Sequence, residues 1–304
     1  MKTKTKKLMF GLGLALSGYF AQAQGIEGII VEKYYVANAA DAANSSANSA
    51  NPLLIAGQSI TYRVYVDMAT GWKFSLLKGN SNHPLKISTT TAFYNDPNNG
   101  VEIGAQAISA ANFKKNTVMM DSYLTAGGVS AGKVGVLEAE DTDGSVGNSQ
   151  NILQNNPGGV YGLPINSGTG VVANTIARDG VIAGSPAVPT TLGFGGAGTP
   201  SDVFIDNAAV GTFSTTNGAM SILGGGLGFG PNNKILIGQF TTDGVFTFEL
   251  NIQLINPSGT AVEYVANAPQ AGETVFAGLT LLAPTPPVVA IGGPSNLITG
   301  NVGT

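Results

Sequence analysis

The chain of 304 residues carries 14 lysines and arginines against 18 aspartates and glutamates, with no cysteine and a single histidine. The absence of thiols excludes cysteine catalysis, cysteine-ligated zinc, iron–sulfur clusters and disulfides, and one histidine excludes a His-rich metal site. Charged residues make up only 11% of the sequence, and its few lysines form no basic stripe of the kind that binds nucleic acid.

Residues 1–23 have the three parts of a secretory signal peptide. Four lysines lie among the first seven residues, an apolar run covers 8–20, and Ala21-Gln22-Ala23 supplies a cleavage signal. The apolar run is shorter than the roughly 20 residues that span a bilayer. Removing the four lysines from the 14 basic residues leaves 10 against 18 acidic ones, a net charge of −8. We therefore expect an acidic mature chain, located outside the cell or on its outer surface.

Two long segments alternate between apolar and polar residues, which is the pattern of half-buried β-strands. In 59–68 the apolar face carries Ile60, Tyr62, Val64, Val66 and Met68, and in 244–255 it carries Phe246, Phe248, Leu250, Ile252 and Leu254. The intervening residues of each strand are predicted to face solvent. Weaker strand patterns cover 28–36, 72–77, 85–93, 117–124, 133–138, 234–240, 261–266 and 274–282.

The remaining segments are predicted to be mostly irregular. Residues 105–115 favour one short helix, whereas the low-complexity segment 38–51 is typical of a mobile polar loop. Residues 144–231, rich in Gly, Asn and Pro, predict a loop-rich insertion, read either as long ordered loops or as an irregular β subdomain. Residues 284–304 have the composition of a linker or tail. Residues 24–283 therefore predict an all-β, antiparallel β-sandwich of the jelly-roll or immunoglobulin/cohesin-like kind.

Four carboxylates cluster at Glu138, Glu140, Asp141 and Asp143. Aligned to an EF-hand loop with Gly144 at the sixth position, the cluster lacks the carboxylates required at the first and twelfth positions. An irregular Ca²⁺ site using Asp141 and Asp143 stays open as one interpretation. A solvated turn after a strand is the favoured one.

Two further features are candidate sites. His83 lies in a turn-like segment and is expected to be a surface loop residue. Tyr65 shares a strand face with Arg63, and Trp72 follows closely, so that these three predict an exposed face able to stack sugars or bind partners. The alternative is that Tyr65 and Trp72 cap the edge of the core.

The segments TYRVYVDMATGWKF, TVMMDSYLTAGG, GKVGVLEAEDTDGSV and TTDGVFTFELNIQLINPSG resemble uncharacterised exported β-rich surface proteins of Bacteroidota-type bacteria, which often use the type IX secretion route. The resemblance carries strand signatures and no catalytic residue. Proteins of that route end in a β-sandwich sorting domain, and none is visible after Pro287. Either the sequence stops at a linker or this protein is exported differently. The strand DGVFTFELNI is also similar to the last core strand of cohesin-type modules.

These features lead to two expectations for function. The first is a non-enzymatic, secreted or surface-exposed β-sandwich with a role in adhesion or in the extracellular matrix. The alternative is a glycan- or protein-binding module of a larger secreted enzyme system. Surface glycans and self-association are the expected partners, nucleic acid is not expected, and Ca²⁺ is the only cofactor considered.

Overall fold

The computed structural model describes residues 25–48, 53–113, 117–141, 155–156, 160–161, 180–194, 200–204 and 210–283. The strands in these ranges are β1 (Ile26–Val36), β2 (Ile60–Met68), β3 (Lys73–Gly79), β4 (Leu85–Ser88), β5 (Tyr123–Leu124), β6 (Gly128–Ser130), β7 (Lys133–Gly135), β8 (Asn155–Asn156), β9 (Val160–Tyr161), β10 (Val181–Ala183), β11 (Thr190–Leu192), β12 (Thr212–Thr215), β13 (Gly218–Gly226), β14 (Lys234–Thr242), β15 (Thr247–Glu249), β16 (Asn251–Ile255), β17 (Ala261–Val265), β18 (Glu273–Val275) and β19 (Thr280–Leu281). One α-helix, α1, covers Ala39–Asn48, and short 3₁₀ turns occur at Ala105–Ala107, Val118–Met120, Glu138–Glu140, Pro200–Phe204 and Ala277–Leu279.

The strands form a sandwich-like arrangement, which confirms the predicted all-β class. One sheet has the order β1-β2-β14-β5, and a six-stranded sheet has the order β11-β13-β3-β16-β17-β18. A third sheet, β12-β4-β15-β19, continues from the six-stranded one, and two small sheets, β10-β7-β6 and β8-β9, complete the set. Among the strands of the described ranges, every pair is antiparallel except β17 with β18, which is parallel.

The main core lies between the β1-β2-β14-β5 sheet and the two other large sheets. Val64 and Val66 of β2 pack there with Phe248 of β15 and Ile252 of β16. The apolar residues predicted for 244–255 are all buried, which confirms their register. The segment bends at Leu250, so that β15 belongs to one sheet and β16 to the next. One alternating sequence thereby closes a corner of the core.

A second core lies on the opposite face of the β1-β2-β14-β5 sheet. Its members include Tyr34 of β1, Tyr65 of β2 and Leu236 of β14, covered by Met119 and Val181 from other parts of the chain. The prediction that this face of β2 is exposed to solvent was wrong. A sheet that is covered on both sides can place polar residues inside the protein only when they have hydrogen-bond partners.

Helix α1 covers most of the segment 38–51, which was predicted to be a mobile loop; residues 49–51 lie outside the described ranges. Asn38 Oδ1 accepts a hydrogen bond from the Asp41 backbone N–H, and Asp41 Oδ2 accepts one from the Asn38 backbone N–H, both at 2.9 Å. This reciprocal pair is a capping box, which satisfies two of the free donors at a helix start. The hydroxyl of Tyr35 also donates to Asp41 Oδ2 at 2.8 Å and anchors the helix to β1.

Other boundaries differ from the prediction because short turns interrupt the apolar runs. Strands predicted at 28–36, 72–77, 234–240 and 261–266 are confirmed to within two residues. The predicted helix at 105–115 is reduced to the 3₁₀ turn Ala105–Ala107, followed by a turn at residues 109–113. Within the loop-rich region predicted for 144–231, β12 and β13 belong to the large sheets. Residue 143 and the tail 284–304 lie outside the described ranges.

Candidate functional site

A row of polar side chains crosses the β1-β2-β14-β5 sheet on its second-core face. Four residues lie side by side across the sheet. In the strand register, Glu32 of β1 is opposite Arg63 of β2. On its other side, Arg63 is opposite Gln239 of β14, which in turn is opposite Tyr123 of β5. Arg63 Nε donates to Gln239 Oε1 at 3.0 Å, and Gln239 Nε2 donates to the carbonyls of Met119 and Asp121. These bonds tie β2 to β14 and β14 to the covering segment, whereas Glu32 and Tyr123 extend the row by strand register.

Arg63 is fully buried and stabilised as a cation inside the protein. Its guanidinium lies 3.4 Å from the centroid of the Tyr34 ring, and its Nη1 donates to the Gly180 carbonyl at 2.9 Å. The hydroxyl of Tyr65, also fully buried, donates to the Val136 carbonyl at 2.9 Å. The predicted exposed binding face of Arg63, Tyr65 and Trp72 is therefore wrong for its first two residues. The covering segments, distant in sequence, turn that face into interior.

Trp72 is half-buried at the edge of the main core. Its ring lies against Gly25, where a built Cβ atom would stand only 2.4 Å from the ring, so a side chain at Gly25 would displace the indole. The Tyr264 hydroxyl accepts a hydrogen bond from the same glycine's N–H at 3.0 Å. Trp72 therefore fits the alternative interpretation, a cap on the core edge.

The acidic stretch is docked against the sheet, which corrects the prediction of a solvated turn for its described part. The Glu138 backbone N–H donates to Glu32 Oε1 at 2.9 Å, and Asp141, only 1% exposed, accepts from the Gly180 N–H at 3.0 Å. Glu140 Oε1 lies 2.8 Å from Lys234 Nζ. Among the described residues no group of three or more acidic or histidine side chains could hold a metal ion. Asp143 lies outside them, so Ca²⁺ binding at Asp141 and Asp143 stays a prediction.

Burial raises the pKa of the Glu138 carboxyl from 4.5 to about 7, and repulsion from Glu32 adds to the effect. The pKa of Glu32 is also raised by burial, with Arg63 acting in the opposite direction. Both carboxyls therefore bind protons more readily in the folded chain than in the unfolded one. Such a group favours folding at low pH and loses this contribution as the pH rises through its folded pKa.

Stability is accordingly expected to fall as the pH rises from about 4.5 to about 7 and to level off above that, and Glu138→Gln should flatten this dependence. A pKa difference of one unit between the folded and the unfolded chain corresponds to about 1.4 kcal/mol of unfolding free energy. Because solvent screens this partly exposed carboxyl, we expect Glu138→Gln to reduce the pH-dependent change in unfolding free energy by about 1 kcal/mol. Urea unfolding of both proteins at pH 5, 6, 7 and 8 measures the slope, with Glu249→Gln as the control. An unchanged slope in Glu138→Gln would show that Glu138 does not titrate in this range.

The candidate functional site is a cavity of about 490 Å³ beside this acidic turn. It opens where the ends of β1 and β2 meet the segment 227–233 that leads into β14. We call it the Lys234 pocket. Its lining includes the polar residues Glu27, Asp67, Thr70, Asn232 and Lys234 and the apolar residue Leu227. Glu27 occupies the extra position of a β-bulge between Ile26 and Gly28, so it is free from strand pairing.

Asn233 fixes the walls of the Lys234 pocket. Its Nδ2 donates to the carbonyls of Ala69 at 2.8 Å and Trp72 at 3.0 Å, and its Oδ1 accepts from the Gly228 N–H at 2.8 Å. Its φ of 38° lies in the left-handed region, which asparagine tolerates better than most residues. The two loops around the pocket are therefore held together before any ligand arrives.

The electrostatics of the pocket are acidic. Lys234 Nζ lies 2.8 Å from Glu140 Oε1 and 3.7 Å from Asp67 Oδ2, and Asn232 Nδ2 donates to the same Glu140 oxygen at 2.6 Å. Burial raises the pKa of Asp67; Lys234 opposes this effect, while Glu27 and Glu140 add to it. The charged residues of the lining are Glu27, Asp67 and Lys234, which leave a net charge of −1 when ionised. Glu140 does not line the pocket but pairs with Lys234 beside it.

His83 is buried rather than exposed as predicted. It is 2% exposed, and its Nε2 lies 2.8 Å from Glu273 Oε2, which links the turn before β4 to β18. Its carbonyl accepts a hydrogen bond from Asn251 Nδ2 at 3.0 Å. Hydrogen bonds from the Gln270 N–H and from His83 lower the pKa of Glu273. The histidine therefore supports the edge of the six-stranded sheet.

The sequence patterns place residue 67 in the strand 59–68 and Glu140 in an acidic cluster, and no local pattern brings the two together. Lys234 begins a predicted strand, and Asn233 lies just before it. The one local signal was the polar run Asn232-Asn233-Lys234 at the start of a strand, which could have predicted a turn.

Comparison of the chain with family profiles, curated proteins and solved structures found no match. Within the described residues, no helix is both long and apolar enough to cross a membrane.

Proposed function

We propose that this chain is an exported, non-enzymatic β-sandwich protein that adheres to an extracellular partner, and that the Lys234 pocket receives part of that partner. The observation that carries the proposal is a cavity with a mixed polar and apolar lining, whose walls are fixed by Asn233 before binding. Binding sites are commonly concave and largely preformed, with a few well-placed polar groups. The signal peptide predicted at residues 1–23 supports export.

The test uses the purified mature chain, residues 24–304, coated on beads. We expect either clustering of the beads or saturable binding to a member of a panel of extracellular glycans and matrix proteins. Thr70→Trp should weaken that binding at least about tenfold, because Thr70 is exposed and an indole there fills the pocket. Thr216→Trp, in the exposed turn between β12 and β13, is the matched control and should bind normally.

Two outcomes count against the proposal. A chain that neither clusters nor binds any member of the panel is not an adhesion protein for these partners. Equal binding by Thr70→Trp and the wild-type chain would place adhesion elsewhere on the surface. Circular dichroism and melting temperatures of both tryptophan variants show whether the fold is kept.

A further inference from the structure

We propose that the open edge of β1 docks a second copy of this chain, whose own β1 pairs with it antiparallel about a two-fold axis at Ile30. The β1-β2-β14-β5 sheets of the two copies then join into one continuous sheet, with the same strand contributed by each copy. This interaction surface is independent of the ligand of the Lys234 pocket. The inference stands on the backbone of β1 and on the placement of its charges.

The first step is that β1 leaves a long edge open. It has 11 residues and lies at the end of its sheet, whereas the other edge strands in the described part of the chain have at most 4. Within that part, the backbone of residues 27–33 bonds only to β2. The outward N–H and C=O groups of such an edge are a ready template for another strand.

The second step is that the middle of this edge carries nothing to keep another strand away. Natural proteins usually protect open edges with charged side chains, prolines, bulges or short strands. Here the two bulges of β1 lie on either side of a regular stretch, 28–33. Its centre is Ile29, Ile30 and Val31, all half-buried; Ile29 and Val31 pack against the main core, and Ile30 packs against the second core. A second copy of β1 would therefore extend both apolar faces past the present edge.

The third step is that the charges at the two ends of this edge are complementary in an antiparallel pair. When Ile30 lies opposite its own copy, position 27 of one chain comes opposite position 33 of the other. Glu27 and Lys33 are exposed, and neither forms an ion pair with a described residue. Glu27 stands at a bulge, so its long side chain is free to turn toward the open edge. The same register places Glu32 opposite Gly28, so that no like charges face each other.

The experiment is sedimentation velocity of the mature chain, residues 24–304, from micromolar to millimolar concentration. We expect a reversible equilibrium between monomer and dimer. A chain that stays monomeric at every concentration would overturn the proposal, whatever other partner the edge then takes. Because the measurement contains no ligand, such a failure would leave the proposed role of the Lys234 pocket untouched.

Charge variants test the register of the pair. Glu27→Lys and Lys33→Glu should each dimerise about tenfold more weakly than the wild-type chain, because two attractive pairs become two repulsive ones. An equimolar mixture of the two variants should recover the dimer, since each lysine then faces a glutamate at both ends. A mixture that dimerises no better than either variant alone would show that the register is wrong.

Lys86→Glu is the matched control for these variants. It makes the same charge change at an exposed residue of β4, which lies between β12 and β15 and has no open edge. This variant should dimerise like the wild-type chain. A loss equal to that of Lys33→Glu would mean that net charge, and not the edge of β1, controls association.

Amide hydrogen exchange of the wild-type chain locates the contact even if a variant fails to fold. Raising the concentration should slow exchange at alternate residues of 28–33, because successive residues of an antiparallel strand bond to opposite sides and only half of these N–H groups point away from β2. Slower exchange at another edge, such as β11, with no change in 28–33 would overturn the assignment to β1.

Discussion

Replacing Arg63 by methionine is expected to lower the free energy of unfolding by about 3–5 kcal/mol, because it removes one partner of a buried charged network. The guanidinium bonds to Gln239 and to the Gly180 carbonyl and lies against the Tyr34 ring, and it is fully buried. Methionine fills similar space, but it leaves Gln239 Oε1 and the Gly180 carbonyl without their donor and the half-buried Glu32 carboxyl without its countercharge. Such a loss is a large part of the roughly 5–15 kcal/mol that stabilises an ordinary domain.

Urea unfolding at pH 7 measures this effect, and Lys86→Met on the exposed side of β4 serves as the control. An exposed substitution should cost less than about 0.5 kcal/mol. Adding Glu32→Gln to Arg63→Met should recover part of the loss, since the neutral amide is less costly to bury than an unpaired carboxylate. A loss below about 1 kcal/mol in Arg63→Met would show that the row of polar residues contributes little to stability.

The fold class could be read from the sequence because strand periodicity is a local signal. The alternation in 244–255 and in the apolar face of β2 places residues two apart on one side of the chain, whatever covers them. The same local signal gave the wrong environment for Arg63 and Tyr65. Their cover comes from Met119 and Gly180, which are distant in sequence, and alternation cannot say whether a polar face meets water or another layer.

The Lys234 pocket could not be predicted from the sequence for a similar reason. Asn233 Nδ2 reaches the Ala69 carbonyl over a separation of 164 residues, and Lys234 meets Glu140 over 94. Helix α1 had a local signal, the Asn38 and Asp41 capping box, but the low-complexity composition around it favoured a loop. Contacts between distant segments decided both the pocket and the second core.

Replacing Phe248 by alanine is expected to lower the free energy of unfolding by about 3–5 kcal/mol, as the loss of a buried aromatic ring normally does. Phe248 is 5% exposed in the main core, where its ring lies 5.9 Å from that of Phe246. It also stands between Ile87 and Leu281 in the sheet register, so the neighbouring strands would border the resulting cavity.

Thr247→Ala, one residue earlier in the same strand, is the matched control and should cost less than about 0.5 kcal/mol. Thr247 is half-buried, and its hydroxyl reaches the Ser88 carbonyl only at 3.5 Å, the long limit of a hydrogen bond. Because adjacent residues of a strand point to opposite faces, the two variants compare the core side with the outer side of β15. Urea unfolding of both gives the difference, and equal losses would mean that the register of β15 against β4 is incorrect.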